Sequence, residues 1–544
     1  MTEPIQPEVP RPAPPEPRAG DIRKLAFADA EGAKRWARTL PLTNVALVCE
    51  TVQGQLKALA AATFAARERA TIAEVLRDLI AYLHTELARR YAGKGQPASD
   101  RELESAEHAL ALWQGLWEQY SFCLKPLIEG DPELAGVKPK ILQRGLYVGK
   151  QLVLTHGLAR QIVPASVWHE LNAYYRLCEM LECAVTALSD NLVPNAVGIS
   201  CYSTYSHALL LGLADPWTMS VKQIELTDRW LAMWARKVFP YAKQRETEGP
   251  VVLIDLDAGV GAVLAAVTPA ESPESMRFGY PSKLATSVRG RLKRLQSGAS
   301  PAELQLGHDC SPEQCTALLT QLEARWYQIP RRASAAPSSE IELCAGGLPA
   351  AYFRVSGHTF ERKDPDGRRT FHETQQMHTL GAVVDYDRGR EEAERDWPWE
   401  RWEGSCELRD ASLNRISEAR HRWSLEQLAI VRRPQDGQAR AGFVTRVAIG
   451  GPTKLSLSLR LWPGACSSLS LQPLSAAGSE EAPLPALILA VALEDQACLV
   501  LPPRSFNPSR VLRSLEAGSQ RRFRLTRLLQ RGIDFERVAF EATT

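Results

Sequence analysis

Two segments near the C-terminus decide the fold of this region: GFVTRVAIGG at residues 442–451 and KLSLSLRLWPG at residues 454–464. In both segments apolar and polar side chains alternate, and a glycine-containing turn follows. Such alternation is typical of a strand with one buried face. Similar signals recur in PALILAVALEDQACLVLPP (485–503) and RRFRLTRLLQRGIDFERVAFEA (521–542). Short strands at about ten-residue spacing predict a small β-barrel over residues 405–544.

The first half of the chain has the periodicity of helices. In TIAEVLRDLIAYLHTEL (71–87), apolar side chains recur every three or four residues. Further along, Trp168, Leu171 and Tyr174 match the W-x-x-L-x-x-Y opening of a tetratricopeptide helix, although no second copy follows at the expected period. The pattern therefore predicts a helical domain over residues 30–245, with a plain bundle favoured over a repeat array.

Residues 250–358 mix strand and helix signals and predict an α+β middle domain. VVLIDLDAG (251–259) is typical of a buried strand, and helices are predicted in YPSKLATSVRGRLKRLQSG (280–298) and CSPEQCTALLTQLEARW (310–326). IELCAGGLPAAYFRVSG (341–357) is interpreted as strand, turn and strand. The following segment, residues 359–404, is charged and aperiodic, which favours a linker or insertion. The predicted fold class is thus multidomain α + β.

Composition excludes several classes of protein. The 544 residues carry a formal net charge of +2, which gives no general attraction to nucleic acid. The proline-rich residues 1–25 predict a disordered tail, and no apolar run is long enough to span a membrane. The 11 cysteines form no CxxC pair and, with no export signal, are interpreted as reduced thiols. These observations predict a cytoplasmic protein.

Motifs that would indicate metal binding or catalysis are weak. GVGA at 259–262 lacks the third glycine of a dinucleotide fingerprint and is interpreted as a β-turn. The histidines of HETQQMH (372–378) have the wrong spacing for a helical zinc pair. In GHDCSPEQC (307–315), Cys315 shares a helix face with leucines and is interpreted as a core thiol. We therefore predict neither a metal nor an enzymatic cofactor, and no catalysis.

The segment CELRDASLNR (406–415) carries the one informative motif. It resembles the D/N-x-S-x-x-G signature of the PilZ domain, a small β-barrel that in many bacteria binds cyclic di-GMP. Asp410 and Ser412 stand at the matching positions, and Arg415 replaces the glycine. The resemblance implies that Asp410 and Ser412 contact the dinucleotide. In the family the glycine allows a tight turn, which a side chain would obstruct.

The second part of the PilZ signature, R-x-x-x-R, is not intact ahead of Asp410. Arg331 and Arg332 are the best candidates for a phosphate clamp, and Arg415 is a possible replacement cation. Five further arginines lie in the last predicted strands and are interpreted as a solvated face: Arg521, Arg522, Arg524, Arg527 and Arg531. Because both halves of the signature are altered, we expect cyclic di-GMP to bind weakly or not at all.

The resemblance implies a bacterial signalling protein related to cyclic di-GMP effectors. In this interpretation the helical domain contacts an unidentified protein partner, and the barrel senses the dinucleotide. The alternative is a scaffold whose helices bind a partner and whose barrel has no ligand. A sensing barrel should bring Arg331 or Arg332 together with Asp410 and Ser412 on one surface, whereas a scaffold would leave them apart.

Overall fold

The computed structural model describes residues 25–193, 198–267, 272–329, 338–360, 390–435, 437–451, 454–474, 482–490, 497–516 and 521–543. The chain divides into two compact units. Unit 1 contains residues 1–92 and 100–332, and unit 2 contains residues 93–99 and 333–544. Within the described ranges, no helix combines the length and apolar character needed to cross a membrane.

Unit 1 is mainly helical. Its helices are α1 Ala30–Thr39, α2 Val45–Ala61, α3 Ala66–Tyr91, α4 Asp100–Ser121, α5 Leu124–Ile128, α6 Lys138–Leu158, α7 Ala165–Met180, α8 Cys201–Leu213, α9 Val221–Trp234, α10 Ser282–Gln296 and α11 Pro312–Tyr327. Capping boxes begin α9 and α11, since Ser220 caps α9 with Gln223 and Ser311 caps α11 with Gln314. Each box satisfies backbone N–H groups that the first helical turn would leave without partners.

The helix with the tetratricopeptide-like pattern packs closely against α6. Trp168, Leu171 and Tyr174 of α7 are all buried. A Cβ atom added at Gly145 would lie 2.2 Å from the Tyr174 ring, and one at Gly149 would lie 2.6 Å from Leu171. The two glycines therefore allow α6 and α7 to approach so closely that larger residues would not fit.

Unit 1 also contains a small antiparallel sheet of order β2-β1-β3. Its strands are β1 Val251–Asp255, β2 Val263–Ala265 and β3 Met276–Gly279. Val252 of β1 and Trp326 of α11 belong to the same apolar core as the N-terminal helices. The elements of residues 250–329 therefore share one core with residues 30–245, and the division into units differs from the predicted boundary at 250.

Unit 2 contains two closed six-stranded barrels. The first barrel has the order β4-β5-β6-β9-β8-β7. Its strands are β4 Ser339–Cys344, β5 Glu400–Cys406, β6 Asp410–Arg415, β7 Leu428–Arg432, β8 Ala439–Ile449 and β9 Leu455–Leu461. Along β9, every second side chain from Leu455 to Leu461 is buried, as the alternation in KLSLSLRLW predicts.

The second barrel has the order β10-β11-β12-β15-β14-β13. Its strands are β10 Cys466–Leu474, β11 Leu484–Leu489, β12 Cys498–Leu501, β13 Val511–Ser514, β14 Arg522–Arg531 and β15 Glu536–Thr543. Its interior is filled by apolar side chains that include Leu471, Leu499 and Phe523. A separate apolar cluster joins residues of both barrels, among them Ile430, Trp462 and Phe535.

The predicted fold class is confirmed: a helical N-terminal region, an α+β middle and C-terminal β-barrels. Three details were wrong. Residues 405–544 contain strands of two barrels, whereas one barrel was predicted. Part of the predicted linker forms strand β5. The predicted strand after Gly346 is a helix, α12 (Gly347–Ser356). Helix α13 covers Arg390–Asp396. Periodicity does not separate a strand from a helix in a short apolar run such as GLPAAYF.

Candidate ligand-binding face of the first barrel

Strand β6 places two of the predicted site residues on one surface. Asp410, Ser412 and Asn414 are exposed, while Ala411 and Leu413 lie in the barrel core. Because side chains alternate along a strand, Asp410 and Ser412 point out of the barrel together. Arg415 has the opposite parity and lies across from Trp402, a buried core residue. The structure therefore brings Asp410 and Ser412 together and places Arg415 on the other face of the strand.

Two arginines accompany this outer face. Arg460 of β9 lies opposite Asp410, and its Nε is 3.0 Å from Asp410 Oδ1. Ser412 lies opposite Ser458 of β9, which in turn lies opposite Arg446 of β8. Both side chains of the Asp410–Arg460 pair are more than half exposed. We call the surface formed by Asp410, Ser412, Ser458, Arg446 and Arg460 the outer face of the first barrel.

Small residues keep this surface flat. Ser405 of β5 lies opposite Ser412, and Ser456 donates a hydrogen bond of 2.6 Å from its Oγ to Asn414 Oδ1. Gly404 has φ +156°, and a Cβ atom there would lie 2.1 Å from the backbone oxygen of Ser412. A glycine is thus required beside Ser412, but on the neighbouring strand β5 rather than at position 415.

The turn that precedes Asp410 is held by arginines from other strands. Arg433 donates a hydrogen bond of 2.7 Å to the carbonyl oxygen of Cys406. Arg440 donates to the carbonyl oxygen of Glu407 at 3.0 Å, and its Nη2 lies 2.7 Å from Cys406 Sγ. These contacts fix the backbone between β5 and β6, so the position of Asp410 is set before any ligand binds.

Arg415 is not in a tight turn. It is the last residue of strand β6, and its backbone φ is negative. Its Nη1 is buried and has no hydrogen-bond partner among the described residues. The arginine therefore fits the extended backbone, and the glycine that the signature has at this position is not needed for this conformation.

The other predicted site residues lie elsewhere. Arg331 and Arg332, like the segment HETQQMH, lie outside the described residues. On β14 of the second barrel, Arg522 and Arg524 are exposed and Phe523 and Leu525 are buried. Arg513 of β13 lies opposite Arg522. Arg522 and Arg524 of β14 therefore form a solvated face, as the alternation predicts.

Arg446 and Arg460 were missed at the sequence level. Alternation in KLSLSLRLW does place Arg460 on the outer side of a strand with Ser456 and Ser458. Their position next to Asp410 and Ser412, however, depends on the pairing of β6 with β9 and of β9 with β8. Such pairing joins residues distant in sequence, and periodicity within one strand carries no information about it.

Among the described residues, no three or more histidine, cysteine or acidic side chains are grouped so that they could hold a metal ion. Cys310 and Cys315 are joined by a disulfide, which corrects the prediction that both are reduced thiols. Cys315 is nevertheless buried against Leu318, Leu319 and Leu322 in the core of unit 1, as the helix-face argument predicts. The sequence spacing alone could not separate a core thiol from a paired one.

Comparisons with known proteins give two matches, both to domains of one receptor. The family model described as the N-terminal domain of the cyclic-di-GMP receptor FimW matches residues 31–240, which contain most of α1 and the whole of α2–α9. The model described as the FimW C-terminal β-barrel domain matches residues 469–543, which form most of the second barrel. Neither description is of a catalytic domain.

The first barrel lies outside both matched ranges. Comparisons with curated proteins and with solved structures gave no match. On either side of its first barrel, the chain is therefore similar in sequence to two domains described for the cyclic-di-GMP receptor FimW.

Proposed function

We propose that this chain is a cytoplasmic cyclic-di-GMP effector whose first barrel is a divergent PilZ barrel that binds the dinucleotide on its outer face. The observation that carries the proposal is the placement of Asp410 and Ser412 on one exposed face beside Arg446 and Arg460. The matches to two domains of a cyclic-di-GMP receptor support the choice of ligand.

The chemistry of the outer face suits a molecule with two phosphates and two guanines. Guanidinium groups donate paired hydrogen bonds to phosphate oxygens and to the O6 and N7 atoms of guanine. Ser412 and Ser458 offer hydroxyl groups between the two arginines. Asp410 both positions Arg460 and offers a carboxylate to the N–H groups of a guanine edge.

We further propose that binding is weak, in the micromolar range. Arg460 already pairs with Asp410, so a phosphate must compete with that carboxylate. The outer face is also open to solvent, where each charge-assisted contact is weaker than in a buried cleft. An intact R-x-x-x-R clamp ahead of Asp410 would add further cations, and the sequence has none at that place.

Calorimetry with the full chain and cyclic di-GMP tests the proposal. We expect one site, weakened at least tenfold by Arg460→Ala or Arg446→Ala and also by Ser412→Ala. Arg420→Ala is the matched control, because Arg420 is exposed on the same unit and pairs only with Glu418 in the described residues. Equal affinity in the wild type and in all three outer-face variants would place the ligand elsewhere.

The second barrel offers a competing site for the same ligand. Arg522 faces Arg513, which donates a hydrogen bond to Gln472, directly across the β13–β14 pair. Like charges in that position repel, and a bound anion would lower the repulsion. This barrel also lies in a matched receptor domain. Loss of binding in Arg522→Ala, with Arg460→Ala unchanged, would favour this face over the first barrel.

Output through the helical domain is the second part of the proposal. Helices α2 and α4 pack together, with Gln53 Nε2 2.9 Å from His108 Nδ1. Leu47 of α2 and Leu103 of α4 are nearly half exposed, and Leu47 is the position we choose to test for a protein contact. A photo-crosslinker at position 47 is expected to give a discrete protein adduct in cells. The same adduct from exposed position 57 would contradict a specific contact at Leu47.

A further inference from the structure

Unit 1 contains a cavity that the proposed barrel site does not use. It has a volume of about 680 Å³ and lies between α6, α8, α9 and the loop that contains Gln305 and His308. A neighbouring cavity of about 560 Å³ shares Tyr147, Gln151 and Asp228 with it. We call the larger one the helical cavity. Cavities of this size commonly hold small ligands.

The floor of the helical cavity carries a buried charged group. Lys150 Nζ is 3.1 Å from Asp228 Oδ1, and His207 Nε2 is 2.8 Å from the same oxygen. The side chain of Lys150 is only 4% exposed. Burying an ammonium ion is costly unless its charge and its donors are satisfied. Asp228 alone accepts from Lys150 among the described hydrogen bonds, so an ammonium proton remains for a ligand.

Gln151 supplies an unsatisfied polar atom at the same place. The residue is 8% exposed and lines both cavities. Its Nε2 donates to Tyr147 Oη at 2.5 Å, while its Oε1 is buried with no hydrogen-bond partner. A buried acceptor without a partner costs about 1–3 kcal/mol. An exchange of the amide ends would leave a donor unpaired instead, so one hydrogen bond is missing in either orientation.

The walls divide into a basic side and an apolar side. Arg229 lines the cavity at its more exposed edge, where Asp309 holds its guanidinium at 2.6 Å. Burial lowers the pKa of His207, so this histidine adds no charge at neutral pH. Asp309 is shared by Arg229 and Lys222, so Lys150, Arg229 and Lys222 together outweigh Asp228 and Asp309 by one positive charge. Opposite them, Leu192, Val193 and Met233 provide apolar surface.

We propose that the helical cavity binds a mononucleotide, a planar base joined to a single phosphate. The phosphate lies against Arg229 and Lys150, where the positive charge exceeds the negative. The base packs on the apolar wall and donates an N–H group to Gln151 Oε1. This site is in a different unit from the outer face of the first barrel and does not depend on that proposal.

Calorimetry on the full chain with GMP and with AMP tests the inference, with guanosine and inorganic phosphate as the two partial ligands. We expect at least one nucleotide to bind and each partial ligand to bind at least tenfold more weakly. No heat from either nucleotide at about 5 mM would overturn the site. Guanosine that binds as tightly as GMP would overturn the role of the phosphate, and with it the proposal.

Two variants and one control locate the binding. Arg229→Ala is expected to weaken the nucleotide about tenfold. Lys222→Ala is its matched control, because Lys222 pairs with the same Asp309 but does not line the cavity. Gln151→Leu keeps the volume and removes the unpaired acceptor together with the hydrogen bond to Tyr147 Oη, and it is expected to weaken nucleotide binding. Equal effects of Arg229→Ala and Lys222→Ala would contradict the site.

The barrel variant Arg460→Ala separates this inference from the proposed function. It is expected to weaken cyclic di-GMP binding and to leave GMP binding unchanged. If Arg460→Ala also abolishes GMP binding, the nucleotide binds at the barrel, and the helical cavity is not its site.

Discussion

Asp410 and Arg460 face each other across the β6–β9 pair, with 3.0 Å between Oδ1 and Nε, on a surface where both side chains are more than half exposed. Exposed ion pairs contribute about 0–1 kcal/mol to folding. The pair therefore adds little to the stability of the barrel. Its main effect is to hold the Arg460 guanidinium in a fixed position.

Arg460→Ala should lower the free energy of unfolding of unit 2 by less than about 1 kcal/mol, because only an exposed ion pair is lost. Urea unfolding followed by tryptophan fluorescence measures the change. Arg420→Ala, which loses an exposed contact to Glu418, serves as the reference. A loss of several kcal/mol would assign Arg460 to the barrel's stability and weaken its role in ligand binding.

Arg415→Gly restores the glycine of the PilZ signature and should leave cyclic di-GMP affinity within about twofold of the wild type. The reason is that Arg415 ends a strand and lies on the face opposite to Asp410 and Ser412. Arg415→Met, which keeps the apolar stem, controls for lost packing. A tenfold gain in affinity for the glycine variant alone would mean that β6 ends in a tight turn when ligand is bound.

Gly404→Ala should destabilise the first barrel by about 1–3 kcal/mol, since the new methyl group would lie 2.1 Å from the carbonyl oxygen of Ser412. Hydrogen exchange of the β5 and β6 amides, together with urea unfolding, measures the effect. Ser405→Ala is the neighbouring control and should change little. Equal stability of the two variants would show that the strands can move apart at no cost.

Asp534→Asn should flatten the pH dependence of unit 2. Burial raises the pKa of Asp534 to about 7, against about 4 in an unfolded chain, and its Oδ2 has no hydrogen-bond partner among the described residues. The folded state thus binds the proton more tightly, so the contribution of Asp534 to stability is greatest below about pH 4, falls between about pH 4 and pH 7, and is lost above that. Denaturant titrations between about pH 5 and pH 8 measure this slope.

The asparagine variant keeps an oxygen that can accept from the backbone N–H of Leu428, as Asp534 Oδ1 does at 2.8 Å. Burial also raises the pKa of Glu426, so a small slope of the same sign should remain. A variant with the full wild-type slope would exclude Asp534 as its source.

Asp190→Ala should destabilise unit 1 by about 3–5 kcal/mol. Asp190 accepts from Arg77 at 2.8 and 3.0 Å and from Arg144 at 2.8 Å, and its side chain is fully buried. Its removal leaves two buried guanidinium groups with Glu74 as their remaining carboxylate. Circular dichroism during urea unfolding measures the loss, and the exposed Asp78→Ala provides the comparison. Similar values for both variants would contradict the buried network.

Local patterns predicted much of the fold because they are properties of single elements. Alternation located β8 and β9, and the spacing of apolar residues located α3, α10 and α11. The same alternation put Asp410 and Ser412 on one face. The sequence of one element does not show which elements pack against it. Trp402 is an example, because the charged residues around it suggested a linker. In the structure Trp402 is buried, and its segment is a strand of the first barrel.

The candidate site could be predicted only in part for the same reason. Asp410 and Ser412 are close in sequence, whereas Arg446 and Arg460 reach them through strand pairing across the barrel. Gly404, the residue that permits the close approach to Ser412, lies on β5 and outside the motif. The signature directed attention to Arg415, but the sterically demanding position is on the neighbouring strand.

The strands that close the first barrel come from distant parts of the chain, because β4 pairs with both β5 and β7, and β5 pairs with β6. A fragment that begins at residue 405 would lack β4 and nearly all of β5. Strands β6 and β7 would then have open edges, which recruit strands from other molecules. Recombinant work on the ligand face should therefore retain the polypeptide from β4 onward, since a shorter piece is expected to aggregate and to report falsely that the site is inactive.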